Sequence, residues 1–181
     1  GNSDKPPISY HSTEVLNILS KAIEAMGIDK TAIIGNSIGG SLAIMMGLRY
    51  PHLVSKIVLV NSASLGQEIN FYLRLLSIPL LGKVLESRHM NGTGRMLKNV
   101  FFNHKFASQD LFNELSYSRS LPGAKQAVIK VLRNTVNLMG VRGKYVLLDQ
   151  LKSLKHPIMV IWGAQDRILP VSHAYRALDK I

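Results

Sequence analysis

Apolar residues recur every three or four positions at Val15, Leu19, Ala22, Ile23 and Met26, a spacing that predicts an amphipathic helix. Ser12 or Thr13 stands where its N-cap is expected, and Gly27 stands where it is expected to stop. The pattern then changes to short apolar runs without alternation: Thr31 to Ile34, Lys56 to Val60, and Pro157 to Trp162. Runs of this kind predict strands covered on both faces, as in a parallel sheet with helices on either side. Each run ends in small or polar residues, Gly35-Asn36-Ser37, Asn61-Ser62-Ala63 and Gly163-Ala164-Gln165-Asp166. The predicted fold class is therefore α/β, a doubly wound, mostly parallel sheet with its working edge at the strand C-termini.

Between Gly66 and about Gln150 the periodicity is helical and interrupts the strand and helix alternation for longer than a crossover needs. The expected organisation is a body in two parts, residues 1–65 and 151–181, with a helical cap at 66–150 inserted between them. Tyr72, Leu73, Leu75, Leu76, Ile78, Leu80 and Leu81 make the opening of that cap apolar, and Pro79 and Gly82 break the run. Those residues either pack onto the body or line a pocket for an apolar substrate.

The chemistry concentrates at the end of the first strand. Gly35-Asn36-Ser37-Ile38-Gly39 places a serine between two glycines, directly after a strand and before a helix, the setting of a nucleophile elbow. A turn this tight asks for small neighbours, which accounts for Gly35 and Gly39, while Gly40 lets the helix start lie close to the sheet. The backbone N–H of Ile38, at the positive end of the following helix, is placed to stabilise an oxyanion formed when Ser37 attacks a carbonyl.

A nucleophilic serine needs a base, and the base needs an orienting carboxylate. Asp166 follows the last strand by one short turn and so falls at the same sheet edge as Ser37; its alternative roles are capping the next helix, around Ala174 and Leu178, or pairing with Arg167. The histidines fit less well. His52 and His156 belong to the opposite end of the sheet, His11 precedes the first helix, His173 follows Asp166 by seven positions, and His89 and His104 lie in the cap.

Composition narrows the classes. The chain has 181 residues, 46% of them hydrophobic, enough for a core, and no cysteine, which removes disulfides and thiolate metal sites and fits a reducing, cytoplasmic compartment. No apolar run reaches the roughly 18 residues of a membrane span, and the start, Gly1 to Pro7, has no signal-peptide pattern. The formal charge of +11 comes mostly from the middle segment, where 14 Lys and Arg face 5 Asp and Glu between Gly66 and Lys155. These bases are spread singly, without a basic arm or an RNA-binding aromatic signature, so a solvated surface is expected and nucleic acid is not.

Taken together, Gly35 to Gly40, then Tyr50-Pro51 with Lys56 to Asn61, and Trp162 to Asp166 with Pro170, resemble the α/β-hydrolase fold family across essentially the whole chain. The resemblance implies a Ser, Asp, His chain order, with the histidine roughly 25–30 residues after the acid and so past Ile181. It also implies that several strands and the loop giving the second oxyanion N–H precede Gly1, so the chain reads as an internal piece that lacks its base and leaves Thr31 to Ile34 at an unpaired sheet edge. Asn36 before the serine and Gly39-Gly40 after it are similar to the meta-cleavage product hydrolases, which break carbon–carbon bonds. That subgroup implies a substrate-binding cap arginine, whose expected position here falls nearer Glu114 or Leu115; Arg119, or failing it Arg95, is the candidate, with Asn36 as a further substrate contact. The leading expectation is hydrolysis of a small-molecule carboxylic ester, the alternatives being carbon–carbon cleavage of a small-molecule ketone and a non-catalytic ligand-binding member of the fold. No metal or organic cofactor is implied.

Overall fold

A computed structural model describes residues 2–79, 94, 97 and 100–181. Helix α1 (Ser12–Ala25) precedes strand β1 (Thr31–Asn36), helix α2 (Ile38–Arg49) and strand β2 (Val54–Val60). The inserted segment holds α3 (Phe71–Leu76), α4 (Gln109–Ser120) and α5 (Ala124–Thr135), then a hairpin of β3 (Val136–Asn137) and β4 (Gly140–Val141). Strand β5 (Ile158–Ile161) and α6 (Ser172–Leu178) return to the body. The cap expected to be helical thus also carries a hairpin, where the chain turns back through Gly140 at φ 124. Leu80, Leu81, Gly82, His89 and Arg95 lie outside the described residues.

The three body strands form one parallel sheet in the order β1-β2-β5, so all three C-termini share an edge. Register places Ile57 beside Ile33 and Ile158, and Leu59 beside Gly35 and Val160, on one face. That face is the core: Ile57 and Leu59 are buried against Ala43, Ile44 and Met46 of α2 and Leu16 of α1, with Ala177 of α6 in the same cluster. The near-absence of polar side chains in α2 follows from this position, pressed between the sheet and α1.

Cover on both faces is not what the described residues provide. The opposite face runs through the rows Ile34, Val58, Met159 and Asn36, Val60, Ile161, and Ile34, Met159 and Ile161 are 72%, 58% and 48% exposed. The runs are apolar enough for two covered faces, but α1, α2 and α6 all contribute to the core on one side. Strand β1 pairs only with β2 and is an edge of the described sheet, as expected for Thr31 to Ile34. The N-cap of α1 also departs from expectation: it is His11, without a side-chain cap bond, because the helix already begins at Ser12.

A second apolar cluster joins the inserted segment to the body. Ile69, Val136, Val141 and Tyr145 pack with Ala63 and Leu169, and Trp162 packs against them. Several of the segment's bases are occupied with backbone carbonyls: Lys130 with Ile8, Arg133 with Pro79, and Arg142 with Arg133.

Candidate active site

The elbow is built from backbone geometry. Ser37 sits at φ 53, ψ −117, a conformation an L-residue adopts only when its surroundings impose it. The turn is held from both sides: Ser37 N–H donates to Val60 O at 3.0 Å, and Ser37 O accepts from Gly40 and Ala63 N–H, each at 3.0 Å. Asn36 donates its side-chain amide to the same Val60 oxygen at 3.2 Å, so this group ties the elbow to the end of β2.

The glycines divide unequally. A Cβ on Gly35 would meet Gly39 O at 2.2 Å, and one on Gly40 would meet Ser62 Oγ at 2.5 Å, so both positions exclude any side chain. A Cβ on Gly39 would meet nothing within 4 Å, which corrects the expectation that the turn requires glycine there. Ile38 opens α2, where the first N–H groups have no partner within the helix and point toward the sheet edge.

Asp166 closes a tight loop after β5, its N–H donating to Gly163 O at 3.1 Å. Oδ1 accepts from Ile168 N–H at 2.7 Å and Leu169 N–H at 3.1 Å, and Oδ2 accepts from the side-chain amide of Asn61. The carboxylate thus caps its own loop and is also turned toward the end of β2. Ser37 and Asp166 follow the two outer strands of the described sheet and fall at the same edge, with β2 between them.

His173, His156 and His52 do not bridge them. His173 on α6 is fully buried, its Nε2 3.0 Å from Glu68 Oε2 and its ring edge-on to Trp162 at 6.0 Å. Burial pushes its pKa down, opposed by the Glu68 hydrogen bond. Glu68 also accepts from Arg176 at 2.9 Å, and chiefly for that reason its carboxyl is lowered to about 2. His156 lies 3.3 Å from Pro51 O at the far end of the sheet, where the sequence places it, and His52 is exposed. Arg119, in the last turn of α4, is exposed.

Two residues that sequence reasoning passed over organise the site. Asn61 adopts φ 46 and holds Asp166; its only sequence signal is an Asn directly after a strand. Asn70 caps α3 by accepting from Tyr72 N–H, donates its side-chain amide to Arg167 O at 3.0 Å and donates its backbone N–H to Ile168 O at 2.9 Å, fastening the start of the inserted segment to the loop after β5. Two open clefts, of about 590 and 240 Å³, lie beside Glu68 and Arg74; Asp166 lines the smaller, and Ser37 and Arg119 line neither. Among the described residues no cluster of His, Asp and Glu has the makings of a metal site.

Comparison with known proteins identifies the fold family. The family model for the alpha/beta hydrolase fold matches residues 1–181. An uncharacterized protein of Mycobacterium tuberculosis is 30% identical over 192 residues, covering 98% of this chain and 54% of its own length. A 2-hydroxy-6-oxo-6-(2'-aminophenyl)hexa-2,4-dienoic acid hydrolase of Metapseudomonas resinovorans is 27% identical, covering 100% of this chain and 59% of its own. The meta-cleavage product hydrolase of Pseudomonas fluorescens superposes with a TM-score of 0.75 at 20% identity, over 100% of this chain and 64% of its own. The chain thus spans little more than half the length of the curated relatives it matches. A strained serine at the end of β1, an acid loop after β5 and a family match over every residue lead to one conclusion: this chain belongs to the alpha/beta hydrolase fold family.

Proposed function

We propose that the protein is a serine hydrolase in which Ser37 attacks the carbonyl carbon of a small-molecule ester. The observation that carries this reading is the elbow: a serine at φ 53 between Gly35 and Gly40, at the N-terminus of α2. In the proposed reaction Ser37 Oγ adds to the carbonyl, and its proton passes to a histidine, which returns it to the leaving alcohol. Ile38 N–H donates to the developing oxyanion, and Asp166 orients the histidine and stabilises its charged form. Water then hydrolyses the acyl-enzyme by the same route. His173, His156 and His52 are placed elsewhere, and the proposed base is the histidine that the family resemblance implies after Ile181. Residues 1–65 and 151–181 supply nucleophile and acid in this scheme, and 66–150 covers them.

A second reading is carbon–carbon hydrolysis of a ring-opened dienoate, favoured by the 27% identity to a hydrolase of that class. Here Ser37 attacks a ketone, and the leaving group is a carbon that must be protonated. Asn36 and Arg119 are the proposed substrate contacts. The test is fluorophosphonate labelling of the full-length protein, followed by turnover of p-nitrophenyl butyrate and of a 2-hydroxy-6-oxo-dienoate. Labelling of the parent and not of Ser37→Ala, with turnover lost in the variant, supports the nucleophile, and the preferred substrate decides between the readings. A full-length chain that never labels favours a non-catalytic binding protein.

A further inference from the structure

We propose that Asn61 is a positioning residue for Asp166: its side-chain amide, presented by a left-handed backbone at the end of β2, holds the carboxylate in one orientation and leaves a single oxygen position for the histidine. The inference rests on the reading of Asp166 as the orienting acid.

Strand β2 lies between β1 and β5, so the residue that follows it stands between the serine and the acid. Asn61 N–H donates to Ile161 O at 3.0 Å, hooking the residue onto the end of β5. Its φ of 46 is one that most side chains resist and that Asn tolerates better than others. In that conformation Nδ2 reaches Asp166 Oδ2. Two residues further on, Ala63 N–H donates to Ser37 O at 3.0 Å, so one short loop grips both the acid and the elbow.

Counting acceptor positions gives the consequence. A carboxylate offers about four lone-pair directions, two on each oxygen. Ile168 and Leu169 N–H fill both on Oδ1, and Asn61 fills one on Oδ2. The position that remains is on Oδ2, beside the Asn61 amide, and it is where an imidazole N–H docks. A neutral amide suits this task better than a cation, because it fixes the carboxylate without neutralising the charge that stabilises the imidazolium.

The experiment uses the full-length enzyme and p-nitrophenyl butyrate. Asn61→Gly keeps the left-handed backbone comfortable and removes only the amide. The expected result is a fall in kcat of about 10- to 100-fold, the scale on which small misplacements act, with KM and thermal midpoint unchanged. In an Asp166→Ala background the same substitution is expected to cost nothing further, since Asn61 acts through that carboxylate. Wild-type kcat in Asn61→Gly, or an equal loss in both backgrounds, overturns the proposal. Should Asn61→Gly fail to fold, Asn61→Asp keeps the size and exchanges the donor for a second carboxylate, with the same expected dependence on Asp166. If Asp166→Ala alone turns over at the wild-type rate, the acid reading fails and takes this proposal with it. Labelling of Ser37 reports the nucleophile independently of both.

Discussion

The carbonyl oxygen of Gly39 lies 2.2 Å from where a Cβ on Gly35 would stand, so the first turn of α2 closes against the end of β1 with no space for a methyl group. Gly35→Ala must therefore push the helix start off the strand. The expected cost is about 1–3 kcal/mol of stability, as for other forced insertions into packed sites, together with loss of Ser37 labelling because the elbow is rebuilt. Gly39→Ala is the matched control: its Cβ meets nothing, it has no positive φ, and it lies in a helix. Replacing helical glycine by alanine there is expected to be neutral or to gain about 0.5–1 kcal/mol. Thermal unfolding of both variants measures the contrast, and equal losses would contradict this account of the turn.

His173 and Glu68 make stability fall on acidification, through two groups that act in the same direction. Burial lowers the folded-state pKa of His173, so the unfolded chain takes up the proton more readily as pH drops through about 6.5. Glu68, held at about 2 mainly by Arg176, contributes stability that is present above about 4.5 and lost between there and 2. The charged and titratable groups acting on His173 are Glu68, Arg176 and Asp166. The thermal midpoint is expected to decline from pH 7 to pH 5, and His173→Gln is expected to flatten that decline while leaving the fall below pH 4 in place. A variant with the full wild-type slope between pH 7 and 5 would remove His173 from the explanation.

The turn at Ser37 and the loop that Asp166 closes are legible in the sequence because their determinants are local. A glycine-flanked serine between an apolar run and a helix signals its turn through neighbours alone, and β5 with its acid loop is equally contiguous. The two elbow glycines were not separable that way: what distinguishes Gly35 from Gly39 is which atom the fold returns to each, a matter of packing. Asn61 and Asn70 were illegible for a related reason. Their partners are 105 and 97 positions away in sequence, so only the closed sheet edge shows the bond. The expectation of two covered sheet faces comes from apolar runs without alternation, which report what a strand suits and not what stands opposite it.

Arg119 separates the two readings of the substrate. If it contacts a substrate carboxylate, as the carbon–carbon reading proposes, Arg119→Ala removes a charge-assisted hydrogen bond of about 1.5–3 kcal/mol. KM for the dienoate acid is then expected to rise at least about tenfold, with p-nitrophenyl butyrate unaffected. Unchanged KM values for both substrates would leave Arg119 without a part in recognition.

The bare face of the sheet makes the last prediction. Ile34, Val58 and Met159 form one row across three strands, with Val60 and Ile161 in the next, and the three most exposed of these are 48–72% accessible. Next to them runs the edge of β1, unpaired among the described residues. A contiguous apolar surface bordered by free backbone donors and acceptors is the usual starting point for association. Residues 1–181 expressed alone are therefore expected to self-associate. Met159→Lys, on the face and on the outer strand opposite β1, is expected to shift the population toward monomer, while Lys152→Glu on an exposed 3-10 turn is not. Ile34→Lys, on the same face and at 72% against 58% more exposed than Met159, is expected to act more strongly. Sedimentation velocity across a range of concentrations reads all four proteins. If the base comes from outside residues 1–181, as the proposed scheme has it, the same chain is expected to be at least about 10⁴-fold less active on p-nitrophenyl butyrate than the full-length protein. A monomeric 1–181 at every concentration would show that the face is not sticky in water. Turnover matching the full-length protein would place the base within these residues.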